Sequence, residues 1–489
     1  MTHIKGANRD QIILLPESID EYVTEDNSVR VIDVYIDSLN LKSLNFTKAE
    51  VNETGRPPYS PQDMLKLYVY GYMNRIRSSR RLETETKRNL EVIWLLKKLS
   101  PDHKTISRFR HDNAAALKNV FRDFVKMCVR LNLYGRELAA IDGSKFKAVN
   151  SIDRNFSIKE LEERIKRLNK RIDEYLKQLD ESDSIDEISE KDSSVNDIKQ
   201  IIKKLSTRKN TYETYIEELK TNGEMQKSLT DPDARLMKGP KHFDVSYNVQ
   251  TSVDSKNKLI AEFNVTNEGN DMKQLYEMAS ATAEILDAPN IAATADTGYN
   301  NISEIAKCIE NGITPQVIGS EGDICIPCEE HEAETIESYE DGKIVYIKER
   351  NVAICPMGKI LFPKHYKNFD RAAIYYNFTA CINCKHKCTK TKYRQFAVRM
   401  KKSDFNKEYN IDNLFIRKIH INPDSKITDL RKELVEHPFG TIKKSMDAGY
   451  LLTRGLKYVT GEFSLVFLAY NLKRVINIMG TKKLIDAMI

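Results

Sequence analysis

Two heptad seams set close together constrain this chain more than any other feature. Apolar residues fall at Ile158, Leu161, Ile165, Leu168, Ile172, Tyr175 and Leu179, in steps of three and four, with Glu, Lys and Arg between them. After a polar, acidic stretch from about Asp180 to Ser194 the seam resumes at Val195, Ile198, Ile202, Leu205, Tyr212, Ile216 and Leu219. Two such helices joined by one loop bury their seams most simply against each other, so the spacing predicts an antiparallel coiled-coil hairpin over 155–222. Binding a partner or a second copy is the other use open to either seam.

The hairpin interrupts a strand pattern. Leu138-Ala139-Ala140-Ile141 runs into Asp142, and strand signals return over Phe243 to Val253 and Leu259 to Val265, with Asp254-Ser255-Lys256-Asn257 as the turn between them. A helix from about Asp271 to Leu286 follows, then the buried run Ile291 to Ala295 ending at Asp296, a helix to Gly312 and a strand at about 313–318. Helical pattern resumes from about Thr428. This is the order of an α/β, ribonuclease H-like mixed sheet, made of 135–318 plus 416–489, with the hairpin and a second insert at 320–415.

Ahead of it, 1–130 reads as helices. Ser60 is an N-cap with Pro61 in the first helical position, leading into an apolar run. The basic stretch Arg75 to Arg81, a segment holding Trp94, and Pro101 to Arg110 follow. Short helices ending in a basic one suit a helix-turn-helix-like DNA-binding domain, with Arg80, Arg81, Arg108 and Arg110 as candidate DNA contacts. A helical bundle with a solvated basic face is the plainer reading. The 77 basic against 71 acidic residues give a net charge of +6, which suits a polyanionic partner only mildly. No apolar run approaches the ~18 residues of a membrane span, and the N-terminus lacks a signal-peptide core. The expectation is a soluble, cytoplasmic protein without a membrane partner, nucleoid-associated when bound to DNA.

Asp142 and Asp296 both stand where a strand hands over to a loop, and Glu436 lies on a helix predicted to pack against the sheet. Alone, each has a bland reading as turn former, N-cap or solvated residue. Together they make a carboxylate triad of hard oxygen donors, suited to two Mg²⁺ or Mn²⁺ ions in phosphodiester chemistry. Six of the eight cysteines fall between Cys325 and Cys388, a crowding that favours metal over a disulfide framework. Cys355, Cys381, Cys384 and Cys388 are enough for one structural Zn²⁺. Cys325 and Cys328 could replace some of them, and reduced free thiols are the other reading. His386 reads as a surface residue.

The box Val435-Glu436-His437-Pro438-Phe439-Gly440-Thr441-Ile442-Lys443 resembles that of one branch of the DDE-class transposases of bacterial insertion sequences. The likeness extends to Arg56 to Pro61, Tyr70 to Glu83, Asp231 to Arg235, Tyr247 to Thr251, Ala295 to Tyr299 and Ala469 to Leu472. It implies a transposase with Asp142, Asp296 and Glu436 as its metal-binding catalytic acids, and Lys443 two turns below Glu436, on the same face, touching a DNA phosphate. Related enzymes often carry Tyr seven and Arg four residues before the Glu, whereas this chain has Asp429 and Lys432 there, with Arg431 next door. Lys432 would meet a phosphate only as a point charge. The implied partners are the element's terminal inverted repeats, target DNA and at least one further copy of the chain. The alternatives are a non-catalytic or repurposed DNA-binding protein, and a ribonuclease H-like nuclease without strand transfer.

Overall fold

The computed structural model describes residues 18–50, 57–150, 154–183, 191–224, 226–239 and 242–489, with side chains described outside 179–196. Arg56, Leu179, Val195 and most of the acidic 180–194 stretch therefore lie outside the described residues or side chains. Six helices open the chain: α1 (Ser28–Asp37), α2 (Pro61–Met73), α3 (Ser79–Arg88), α4 (Leu90–Leu95), α5 (His103–Asp112) and α6 (Ala114–Arg130). Their starts follow the capping rules: the Ser60 side chain accepts from Gln62 N, and Asp102 accepts from Lys104 N and Thr105 N. The buried Lys66 of α2 keeps its charge between Asp33 and Asp37 of α1, at 2.6 and 2.8 Å.

The main sheet comprises β1 (Leu138–Lys147), β4 (Arg235–Lys238), β5 (Phe243–Asp254), β6 (Ile260–Thr266), β7 (Ala292–Ala295) and β8 (Thr314–Val317), in the order β4-β5-β1-β7-β8 with β6 also on β5. β1 runs antiparallel to β5 and parallel to β7, and β7 parallel to β8. Helices α9 (Leu275–Leu286) and α10 (Ile302–Glu310) connect its parallel half. Between β1 and β4 the chain makes β2 (Asn155–Ser157), α7 (Ile158–Asp183), α8 (Lys191–Asn222) and β3 (Gln226–Ser228). β2 and β3 pair antiparallel at the root of the helices. Leu161, Leu168, Leu205, Tyr212, Ile216 and Leu219 close a separate small core between α7 and α8. Each helix thus buries its seam against the other, and Ile201 joins that core from α8.

The segment 322–421 holds β9 (Gly322–Cys328), the antiparallel meander β10 (Val345–Ile347), β11 (Val352–Ile354), β12 (Ile360–Lys367), β13 (Ala372–Tyr376) and β14 (Phe396–Arg399), short helices α11 (Phe378–Ile382) and α12 (Lys402–Phe405), and β15 (Phe415–Ile421), which pairs with β9. The chain ends in α13 (Ser425–Gly440), a π-helical turn Thr441–Ser445, α14 (Leu456–Met479) and α15 (Thr481–Asp486). α14 is buried along most of its length and packs on α2, α6 and β6, so one hydrophobic core runs from the N-terminal helices into the sheet. Gly461 permits the α6 crossing, since a Cβ there would sit 2.8 Å from Ala114 Cα. Across the same junction the buried Arg77 reaches Glu462 at 2.7 Å. Among the described residues no helix is long and apolar enough to cross a membrane.

Candidate active site

The parallel register of β1 and β7 pairs Ala140 with Thr294, so two residues further along Asp142 and Asp296 come level at adjacent strands. Asp296 leaves the sheet as the cap of the turn Thr297–Tyr299, its Oδ1 accepting from Gly298 N at 2.8 Å. Asp142 stays on its strand with its side chain about one-quarter exposed (24%). Burial pushes its carboxyl up to about 6, opposed by the Arg431 guanidinium and reinforced by the negative fields of Asp296 and Asp271. Two carboxylates at neighbouring positions, Asp142 on β1 and Asp296 just past the end of β7, fit a hard divalent cation by donor chemistry.

Helix α13 lies against this end of the sheet because Leu434 and Val435 pack on Leu138 and Ala140. That packing fixes the helix phase. Arg431, 8% exposed, falls on the inward face with its Nη1 3.8 Å from Asp142 Oδ1 and its Nε without a hydrogen-bond partner. Glu436 comes five residues later, about 140° further round at 100° per residue, and is exposed. The expected triad is therefore not assembled as expected: the two aspartates share one field, while the inward place on α13 belongs to Arg431. Among the described residues no three His, Cys, Asp or Glu side chains stand close enough to hold one metal ion.

Lys443 also differs from its expected place on the Glu436 face. The chain passes from α13 into the π-helical turn, which changes the rotation per residue. Lys443 Nζ turns to the sheet, donating to Ser144 Oγ at 2.7 Å and Lys145 O at 3.3 Å and lying over the Phe146 ring. Burial lowers its ammonium, with Asp142 pulling the other way. Lys432 is exposed on the outer face of α13.

A buried polar network missed in the sequence supports β1 from the side of Gly143. Asp271 Oδ1 accepts from Asn248 Nδ2 at 2.7 Å and Gln250 Nε2 at 2.6 Å, and the Tyr299 hydroxyl donates to Gln250 Oε1. Asn248 and Gln250 come from Tyr247-Asn248-Val249-Gln250-Thr251, and Tyr299 from Ala295-Asp296-Thr297-Gly298-Tyr299. Both stretches were visible as motifs, but the Asp271 that joins them was not. A Cβ at position 143 would sit 2.7 Å from Asp271 Oδ1 and closer still to Gln250 Nε2, so any larger residue there must push this network aside.

Among the basic residues of the N-terminal helices, Arg80, Arg81 and Arg108 are exposed. Arg108 lines a groove of about 970 Å³ together with Lys48, Tyr59 and Lys104. Arg110 is corrected: it is 8% exposed, donates to the Tyr72 hydroxyl at 3.0 Å and lies over the Tyr68 ring, so it faces the core and not a phosphate.

Within 322–421 Cys355 is buried, and Cys381, Cys384 and Cys388 are half-buried. Lys359 N donates to Cys355 Sγ at 3.2 Å, yet burial still pushes that thiol up to about 11. Burial pushes Cys325 up to about 12, and its thiol donates to Pro356 O. Cys328 is half-buried and its thiol is likewise raised by burial. The expected zinc finds no assembled ligand set among the described residues.

Residues 17–112 match the family described as "Transposase domain (DUF772)", and residues 354–476 the family described as "Transposase DDE domain". No curated protein matches. Among solved structures, the cryo-EM structure of the piggyBac transposase synaptic complex with hairpin DNA aligns over 95% of this chain and 79% of that one, with 6% identity and a TM-score of 0.32. Transposase-domain models thus match both ends of the chain, which supports its likeness to the DDE-class insertion-sequence transposases.

Proposed function

We propose that the chain binds the terminal inverted repeats of its own element, cleaves DNA at the element ends and joins the freed 3′-hydroxyls to target DNA. The observation that supports this reading is the parallel register of β1 and β7, which brings Asp142 on β1 level with Asp296 one residue past the end of β7. The strand order, with β5 and β6 antiparallel on one side of β1 and β7 and β8 parallel on the other, supports the reading of a ribonuclease H-like catalytic core. In this reading 1–130 recognises DNA, through Arg80, Arg81 and Arg108 among other residues.

Asp142 and Asp296 would hold divalent Mg²⁺ or Mn²⁺. Glu436 is their third acid on the strength of its Val-Glu-His-Pro-Phe-Gly box. Bound there, such ions would supply Lewis-acid chemistry for phosphodiester cleavage and joining. The chain's own groups set the conditions. Arg431 keeps part of the Asp142 charge neutralised, and Lys443 braces β1 at Ser144, so the strand carrying Asp142 is held from the middle of α13 and from the π-helical turn that follows it. Both reactions are in-line phosphoryl transfers at one site, which need positioning and charge stabilisation and no covalent enzyme intermediate. Two element ends must be held together, which calls for at least a homodimer on the nucleoid.

The exposed position of Glu436 favours a second reading, a DNA-binding protein without catalysis. A labelled duplex carrying the element end, incubated with Mg²⁺, separates the two: cut and joined products support the transposase, and binding without cutting supports the second reading. Cutting without joining leaves a nuclease.

A further inference from the structure

We propose that the arginine face of the α7/α8 hairpin is a binding site for the phosphodiester backbone of duplex DNA. This rests on the reading of the chain as an enzyme that holds DNA, and it gives the inserted hairpin a role that neither the acids nor the N-terminal helices supply.

The seam of α7 is consumed by packing against α8, so what the hairpin offers to a ligand is its outer charge. Over 158–178 and 197–222 there are thirteen basic and nine acidic residues, while 179–196 between them holds seven acidic residues and one basic one, so the hairpin's excess of positive charge is confined to these two segments. The excess is not scattered. Arg164, Arg167 and Arg171 recur at helical spacing along one side of α7, Arg208 faces them from α8, and together with Tyr212 they line a concave surface of about 460 Å³. Arg164 is already engaged: it pairs with Glu160 at 2.7 Å and lies over the Phe156 ring, which anchors this end of the face to the hairpin root. Arg208 Nε donates to the Tyr212 hydroxyl at 2.9 Å, which orients its guanidinium along the surface. Arg167 touches Glu163 only at 4.0 Å, and both Arg167 and Arg171 are exposed.

Guanidinium groups in a shallow groove match phosphate oxygens by shape as well as by charge, since each offers a planar fork of donors. Arg164 to Arg171 spans about 10 Å at 1.5 Å per residue, which covers about three phosphates of one strand at 3.4 Å each along the duplex axis. Contacts from these guanidinium groups to phosphate oxygens carry no sequence information. The face holds DNA without sequence preference and leaves recognition of the element ends to other residues.

The test uses the full chain and two fluorescent duplexes of equal length, one carrying the element end and one of unrelated sequence. Binding is followed by anisotropy from 50 to 300 mM salt in EDTA, so that cleavage plays no part. The comparison is wild type, the triple variant Arg167→Gln/Arg171→Gln/Arg208→Gln, and the matching Arg→Lys triple. Circular dichroism and thermal unfolding check the hairpin in each. We expect the Gln triple to lower the slope of log affinity against log salt by about 2 to 3, near 0.9 per phosphate lost, and to weaken both duplexes by the same factor. The Lys triple should keep most of the slope. A Gln triple that is folded and has the wild-type slope overturns the proposal. So does loss of self-association at an unchanged slope, which would assign this face to the acidic 180–194 stretch of a second copy. Failure of the underlying reading looks different: the wild type itself would then bind neither duplex.

Discussion

Arg431 of α13 and Asp142 of β1 face each other across the helix and sheet interface, Nη1 3.8 Å from Oδ1, with the arginine buried and its Nε unpartnered. The arginine therefore acts on the carboxyl that burial lifts most clearly in this site. Arg431→Gln removes a cation that lowers the Asp142 carboxyl, so its titration should move above about 6. The pH at which added Mg²⁺ begins to raise the melting temperature should move up with it. An unchanged pH dependence would mean that Arg431 does not govern Asp142.

The Asp142 carboxyl titrates near 6 in the folded chain against an ordinary 3.8. The folded state therefore binds the extra proton between those values, and metal-free stability should fall as pH rises from about 4 to about 6 and stay lower above that. Asp142→Asn removes the cost. It should raise the stability of metal-free protein at pH 7.5 by up to about 3 kcal/mol, at 1.36 kcal/mol per pKa unit, and by almost nothing at pH 3.5. Chemical denaturation at the two pH values gives the comparison, and equal effects at both would contradict the assignment.

Gly143→Ala forces a methyl group onto Asp271 and Gln250. Overpacking of this kind costs about 1 to 3 kcal/mol, and Gln250→Ala in the same chain should return part of it. A double-mutant cycle of melting temperatures measures the coupling, and strict additivity would show that the network does not press on β1.

Glu462 receives Arg77 at 2.7 Å and the backbone amides of Leu452 and Thr453, all within the junction between the N-terminal helices and α14. Glu462→Gln leaves the buried Arg77 without its counter-charge and should cost about 3 to 5 kcal/mol. Arg77→Met with Glu462→Gln should be less harmful than the sum of the single changes. Limited proteolysis that releases the N-terminal helices from the single variant would show the junction opening.

Much of this architecture was legible in the sequence because its signals are local. The seams of 158–175 and 205–219 announce α7 and α8, and apolar runs ending in Asp142 and Asp296 announce β1 and β7. The rest depends on helix phase and on long-range contacts. Leu434 and Val435 turn Arg431 inward and leave Glu436 outside, and the π-helical turn redirects Lys443, neither of which residue spacing on an ideal helix foretells. Arg110 looked like part of a basic face, but Tyr68 and Tyr72, some forty residues earlier, bury it. Asp271 became visible only when β5 brought Asn248 and Gln250 beneath it.

The central claim is that Asp142, Asp296 and Glu436 together serve Mg²⁺-dependent cutting and joining of element ends. It is tested most directly by incubating a labelled duplex carrying the element end with target DNA and Mg²⁺, and comparing wild type with Asp142→Asn and Glu436→Gln. The account predicts cut and joined products from the wild type alone, with all three proteins binding the end equally. Cutting by Glu436→Gln at the wild-type rate would contradict it.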